Sequence, residues 1–393
     1  MTGPTLLEGV RVLDLSRVLA GPWCGQLLAD YGADVIKVER PGAGDDTRGW
    51  GPPFWGEGAQ RTAAYYLSAN RGKRSIAIDI ASPEGAELVR KLAAHADVLL
   101  ENYKVGQLAR YGLDYASLSA TNPALVYCSI TGYGQDGPYA QAAGYDFAIQ
   151  ATGGLMSITG EKDGTPGSEP QKVGVTVADL FTGVYAATAI LAALLERART
   201  GRGHWIDAAL LDAQVAMLAN QASNYFASGR APGRIGNAHV NIVPYQVFAT
   251  RDGHIVLAIG NDGQFARFCE LADRPQVGRD PRYAGNAARV ALRDELVTMI
   301  AGWMRERTTA EWTALLEASG VPCAPILAID QVFAHPQVIA RGMKVDVAGT
   351  PTVATPMRFD GERPVAARPP PALDEHGAAI RAALARGESW PAA

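Results

Sequence analysis

The chain has 393 residues, 48% hydrophobic and 19% charged, with 36 Lys and Arg against 40 Asp and Glu for a net charge of −4. That length exceeds one ordinary core and predicts two domains. The balance excludes a disordered chain and supplies no global basic field for a nucleic-acid partner.

From the N-terminus, Met1–Gly9 lacks a basic stretch followed by an apolar core, so no secretory signal is expected. Val10–Leu15 reads as a strand, Gln26–Tyr31 as a helix and Ala33–Glu39 as a second strand. This βαβ unit implies parallel strands with a right-handed crossover. Ser75–Asp79 continues the series, then a helix from Pro83 to Ala94 and strands at Ala96–Glu101 and Leu125–Ile130. The pattern is a doubly wound α/β sheet.

The segment Val175–Leu195 is a long apolar helix with Asp179 at its mouth and no charge from Leu180 to Leu195. It is short for a membrane span, and its apolarity predicts burial on most of its surface. Asp179 has two compatible readings. It is a helix N-cap, or it is a nucleophile kept ionised by the helix dipole and poorly solvated by its neighbours.

Beyond residue 225 the character changes. Tyr245–Thr250 and His254–Ile259 flank an Asp-Gly turn and predict a β-hairpin, with helices at 263–271, 287–305 and 309–319. The expected domains are 1–228, a large Rossmann-like domain, and 229–325, a smaller α+β domain. A Pro-rich segment, 326–393, is expected to return to the large domain, with a last helix near His376–Ala385.

The first βα turn reads Leu19-Ala-Gly-Pro22 and lacks the Gly-x-Gly-x-x-Gly fingerprint, which disfavours a dinucleotide reader despite Glu39. Arg40, Arg71, Lys73, Arg74, Lys104 and Arg110 cluster at predicted element edges and suit a ligand with several phosphates, such as coenzyme A. Gly-rich segments at 151–160 and 260–264 are turns, or places where backbone N–H groups approach a reacting oxyanion. Four cysteines without Cys-x-x-Cys spacing read as buried thiols of a reducing compartment, here the cytoplasm. Six scattered histidines predict no metal site.

Several stretches, in this order, resemble the class III CoA-transferases, the CaiB/BaiF family. They are Val12–Pro22, Asp34–Arg40, Asn70–Ser75, Glu101–Tyr103, Gly144–Asp146 and Val177–Asp179. The resemblance implies an interlocked homodimer with the active site between domains and subunits. It also implies no cofactor, since the coenzyme A thioester is a substrate, and no nucleic-acid or membrane partner. Carried over by residue, Asp179 is the nucleophile. Leu19 and Ala20 line the pantetheine arm, and Arg40 lies at the adenine and 3′-phosphate end. Lys73, Arg74, Asn102, Tyr103 and Arg110 line coenzyme A. Tyr145 and the loop of Gly260, Asn261, Gly263 and Gln264 lie close to the aspartate.

The family's racemase branch carries a histidine where Tyr145 stands. Tyrosine, which ordinarily ionises near 10, is a poor base at neutral pH, so 2-methylacyl-CoA racemization is the alternative activity. A non-catalytic coenzyme A-binding protein on the same fold is a second alternative. Gly144–Phe147, Gly154–Gly160, Asn241–Gln246 and Val332–Gln337 are most similar to the succinyl-CoA:glutarate or hydroxymethylglutarate branch. This implies a short dicarboxylate acceptor such as glutarate, hydroxymethylglutarate or itaconate. A cation is needed for its far carboxylate; Arg71 is the first candidate, then Arg234 and His239.

Overall fold

The computed structural model describes residues 3–58 and 61–391. Residues Met1–Leu155, Val173–Ser223 and Pro336–Ala393 make one compact unit, and Met156–Lys172 with Asn224–His335 a second. The divisions thus differ from 228/229 and 325/326. Met156–Lys172, placed by sequence order in the large domain, belongs to the second unit, where Asp163 and Gln171 bond to Arg234 and Thr159.

The first unit is built on β1 (Arg11–Asp14), α1 (Ala20–Asp30), β2 (Asp34–Glu39) and β3 (Lys73–Ala77), followed by α2 (Pro83–Ala93), β4 (Val98–Glu101) and α3 (Tyr115–Thr121). β5 (Val126–Thr131), α4 (Asp146–Thr152), α5 (Val177–Thr200), β6 (Trp205–Ala209) and α6 (Leu210–Met217) complete it up to the second unit. The strand order is β3-β2-β1-β4-β5-β6, with every pair parallel.

Successive strand residues point to opposite faces. Val12, Val35, Val98 and Val126 join α1 and α5 in one core. Leu13, Ile36, Leu99 and Tyr127 join α2 and α3 in the other. Both faces are covered, so the strands are near-continuously apolar. The strand order reverses between β1 and β4, which puts a crevice beyond their carboxyl ends, where ligands of such sheets bind.

Some elements start or stop elsewhere than the sequence predicts. α1 begins at Ala20, because Pro22 in the first turn needs no N–H partner. The helix expected at 287–305 is two, broken at Leu292. α5 is long and apolar enough to cross a bilayer by length and composition. Its inner face, including Ala178, Thr182, Ala186 and Ile190, is buried. Burial over most of its surface does not hold within this chain: Phe181, Val184, Tyr185 and Leu195 are 46–72% exposed.

In the second unit, β7 (Tyr245–Ala249) and β8 (His254–Ala258) form the antiparallel hairpin across Asp252-Gly253. α7 (Asp262–Leu271), α8 (Arg293–Met304) and α9 (Thr309–Ala318) pack on it around Phe265, Phe268, Ile300 and Trp312. β9 (Cys323–Pro325) adds antiparallel to β8.

The chain's last segment belongs to the first unit, with a hairpin of β10 (Lys344–Val347) and β11 (Thr350–Val353) and a final helix, α10 (Gly377–Ala385). It covers the open edge of β3. Ser75 N–H donates to His376 Nδ1 at 3.3 Å, His376 N–H to Ser75 O at 3.0 Å, and Ala77 N–H to Asp374 Oδ1 at 2.7 Å. An edge that would otherwise template aggregation is closed by side chains and backbone of the tail.

Candidate active site

Asp179 is not the N-cap of α5. Thr176 holds that position without a side-chain capping bond, and Asp179 lies inside the first turn. The cap comes from Asp146, whose Oδ1 accepts Ala178 N–H at 2.8 Å and Asp179 N–H at 3.2 Å. Gln150 Nε2 donates to the other oxygen at 2.6 Å, and its Oε1 accepts Val173 N–H at 2.9 Å.

With the orphan N–H groups satisfied by Asp146, the carboxylate of Asp179 is left uncommitted. Among the described residues none donates a hydrogen bond to it. Burial pushes its pKa up to about 7, assisted by the charge of Asp146. The dipole alone would favour ionisation; loss of solvent outweighs it. A desolvated carboxylate that ionises near neutrality, free of capping duty, can attack an electrophilic carbonyl.

Two close backbone approaches fix this corner. A Cβ on Gly144 would lie 2.3 Å from Gly132 Cα, so glycine at both lets the segment before α4 press on the exit of β5 and bring Asp146 to α5. A Cβ on Gly183, one turn beyond Asp179, would lie 2.6 Å from Ala20 O and 3.1 Å from the Trp23 ring. The face of α5 that carries Asp179 therefore runs onto the start of α1. There Leu19 supplies no side-chain cap, and Leu19 and Ala20 are buried. Tyr145 is 68% exposed, next to the capping aspartate.

Beyond the carboxyl ends of β1–β4 lies a cleft of about 230 Å³ lined by Arg17, Arg40, Asp79, Tyr103 and Tyr111. Asp46 holds two of its cations together, accepting Arg17 Nη1 at 3.1 Å and Arg40 Nη2 at 2.5 Å. The Arg17 guanidinium lies 5.5 Å from the Tyr103 ring centroid, and its buried Nε has no acceptor. Converging arginines beside an aromatic wall suit a phosphorylated nucleotide. Arg17 was missed in the sequence, although its place after the first strand is where such folds meet ligands. Arg110 is exposed.

The other basic candidates have internal work. Lys73 is fully buried and donates to Asp14 Oδ2 at 2.8 Å, Pro22 O at 2.9 Å and Asn70 Oδ1 at 3.0 Å, using all three protons. Burial draws its pKa down to about 8 against the pull of Asp14. Arg74 is buried against Asp34, at 3.0 and 2.5 Å, and Pro391 O. Arg71 forks onto Asp30 at 2.8 and 2.5 Å and reaches Thr352 Oγ1 at 3.1 Å and Val353 O at 2.8 Å. Each of these three charges is buried and paired within the chain, which gives Arg71, Lys73 and Arg74 a structural role. Asn102 grips Arg17 from both sides, Oδ1 accepting its N–H at 2.9 Å and Nδ2 donating to its carbonyl at 2.7 Å. It shapes the cleft and leaves the lining to Arg17 and Tyr103. Glu39 is likewise held by Arg48.

In the second unit, Asn261 caps α7 by accepting Gln264 N–H at 2.9 Å, and Gln264 Oε1 accepts Gly260 N–H at 2.9 Å. The Gly260 N–H is therefore bonded within its own loop, as in the turn reading of residues 260–264. Gly263 lies in the first turn of α7. Arg234 pairs with Asp163, and its buried Nε has no acceptor. His239 Nδ1 accepts Asn241 N–H at 3.1 Å, and its ring lies 5.2 Å from that of Tyr245. Among the described residues no cluster of three or more His, Cys, Asp or Glu could hold a metal ion.

A doubly wound sheet, a cleft at its switch point with Arg17 and Arg40 on its wall, and an aspartate without a hydrogen-bond donor at the head of α5 are the features of the first unit. CoA-transferase family III matches residues 7–377, and the chain belongs to that family: it is a CoA-transferase. It is 52% identical to the succinate–glutarate CoA-transferase of Agrobacterium fabrum, over 96% of this chain and 95% of that one. It is 46% identical to the succinyl-CoA:glutarate CoA-transferase of Homo sapiens, over 94% of this chain and 84% of that one. The crystal structure of a CaiB/BaiF family protein from Brucella suis matches with a TM-score of 0.87 at 52% identity, covering 98% of this chain and 100% of that one.

Proposed function

We propose that the protein moves coenzyme A from succinyl-CoA to a short dicarboxylate, glutarate first and hydroxymethylglutarate or itaconate as related acceptors. The observation that carries this reading is the Asp179 carboxylate, relieved of capping by Asp146 and poised near neutrality. Asp179 attacks the thioester carbonyl of succinyl-CoA, and the C–S bond breaks to give a succinyl–Asp179 anhydride and coenzyme A thiolate. The thiolate attacks the Asp179 carbonyl carbon, forming an aspartyl thioester and releasing succinate. The acceptor carboxylate then attacks that thioester, displacing the thiolate and forming a second anhydride. Thiolate attack on the acceptor's acyl carbon yields the new thioester and restores Asp179.

A carboxylate is a weak nucleophile, so the rate depends on desolvating it and on holding coenzyme A in place through both anhydride stages. The Arg17–Arg40 cleft is the anchor this reading gives to the nucleotide end. Arg71 is engaged by Asp30 and Arg234 by Asp163, so this reading assigns neither to the far carboxylate of the acceptor.

The same reading includes self-association as a homodimer. The outer face of α5 exposes Phe181, Val184 and Tyr185, and Phe226 is 79% exposed. Apolar surface of this extent on the catalytic helix is the kind that a second copy covers.

The test is Asp179→Ala with succinyl-CoA and a dicarboxylate panel, together with hydroxylamine added during turnover. Transfer should vanish in the variant while coenzyme A affinity stays within a few-fold, and hydroxylamine should inactivate only the wild type. Substantial transfer by the variant would refute the nucleophile.

A further inference from the structure

We propose that Asp45 is a positioning residue for the coenzyme A site, holding Val18 in a left-handed backbone conformation so that Arg17 and the entry to α1 face the nucleotide cleft. The proposal rests on reading that cleft as the coenzyme's.

The turn from β1 to α1 is Ser16-Arg17-Val18-Leu19, and it has no glycine. Val18 nevertheless has a φ of +71°. A β-branched residue resists that conformation, which persists only where its surroundings over-determine it. Here the restraint is made of side chains, most of them from distant segments. Ser16 N–H donates to Asp14 Oδ1 at 2.9 Å, and Lys37 Nζ donates to Ser16 O at 2.7 Å. Asn102 takes both polar backbone groups of Arg17, at 2.9 and 2.7 Å. Val18 N–H, the group that the left-handed conformation turns inward, donates to both oxygens of Asp45 at 3.3 Å.

Asp45 is itself immobilised. Its side chain is fully buried, 3.0 Å from Lys37 Nζ. Its Oδ1 accepts Thr47 N–H at 3.0 Å and Thr47 Oγ1 at 2.8 Å, and its own N–H donates to Glu39 at 2.9 Å. Burial opposes ionisation, but Lys37 and Thr47 outweigh it and draw the pKa down to about 2. Stability alone gives little reason for such a pair, because a well-packed apolar pair of similar volume commonly stabilises a fold as well. An apolar pair could not accept the Val18 N–H. The side chain on one side of this residue is Arg17, on the cleft, and on the other Leu19, at the start of α1.

Steady-state kinetics with succinyl-CoA and glutarate test the assignment. Asp45→Ala should raise the KM for succinyl-CoA about tenfold or more, the scale of releasing one strained backbone position. The glutarate KM should stay within about threefold. Lys37 keeps Ser16 O and the nearby Asp14 and Glu39 charges, so the fold should survive. Adding Val18→Gly, which adopts the same φ without strain, should return the KM toward the wild-type value.

Loss of Asp45 also uncaps the turn carrying Asp46, but that route would not be rescued at Val18. An unchanged succinyl-CoA KM, an equal rise for glutarate, or no recovery with Val18→Gly would each overturn the proposal. Should Asp45→Ala fail to fold, Asp45→Asn takes its place. It retains one acceptor, should raise the KM less, and should lose that rise with Val18→Gly; a rise that persists overturns the proposal. Arg17→Ala separates this from the site itself. If it leaves the succinyl-CoA KM unchanged, the cleft reading has failed, whatever Asp45 does.

Discussion

Replacing Asp146 with Asn tests the electrostatics of the nucleophile. The substitution keeps an Oδ1 able to accept the N–H groups of Ala178 and Asp179 while removing a negative charge beside the Asp179 carboxylate. Asp179 stands at about 7 against an ordinary 3.8, with burial the larger cause and Asp146 the smaller. Asp146 is the smaller cause, so removing its charge should lower the Asp179 pKa without returning it to the ordinary carboxylate range. The wild-type kcat/KM should rise with pH through a limb near 7, as the carboxyl loses its proton. In Asp146→Asn the limb should move down and stay above the ordinary carboxylate range. At pH 6 the variant should then retain a larger fraction of its own plateau rate than the wild type does. The plateau itself should fall a few-fold, because the new Nδ2 confronts Gln150 Nε2 where a carboxylate oxygen accepted it. The assay is thioester exchange from pH 5 to 9, with thermal denaturation alongside to separate a lost cap, which costs about 0.5–2 kcal/mol, from a shifted acid. A limb that stays at 7 in the variant would refute the role of Asp146, and a wild-type profile flat from pH 5 to 8 would refute the raised carboxyl.

Three further outcomes follow from the geometry. Because Asp179 is raised in the folded state, that state binds more protons than the unfolded chain between about pH 4 and 7, so this residue's contribution falls as pH rises through that window. Asp179→Asn should accordingly melt higher than the wild type at pH 8 and equally at pH 4; the reverse order would contradict the shift. Arg71→Ala should cost about 3–5 kcal/mol by leaving Asp30 buried and unpaired, and should loosen the β10–β11 hairpin to proteolysis. Its KM should change equally for mono- and dicarboxylates; a selective loss for dicarboxylates would return Arg71 to the substrate. An optically pure 2-methylacyl-CoA incubated in heavy water should incorporate no deuterium above background, since Tyr145 stands where a racemase carries its histidine, and rapid exchange would reopen that activity.

The sequence by itself determined what is local. Alternating β-rich and helical stretches marked most of the central sheet, and the Asp-Gly turn marked the hairpin of the second unit, because strand pattern and turn chemistry are written within a few neighbouring residues. Asp179 was visible for the same reason, as the acid at the start of an uncharged helix. The last strand, Trp205–Ala209, carries an exposed Trp and a charged Asp207, and a weak periodic signal hid it. Only the tertiary structure decided which charges are buried in pairs. Arg71, Lys73 and Arg74 look alike as a basic run, yet their partners Asp30, Asp14 and Asp34 lie 41, 59 and 40 residues away. The cap of α5 comes from Asp146, 32 residues before Ala178, so no local pattern could relieve Asp179 of that duty. Arg17 reaches the cleft because Asp45 and Asn102, brought by β2 and β4, grip a turn that contains no glycine to announce itself. Pairing, burial and aim depend on which strands lie side by side, and that is fixed by the packing of the whole sheet.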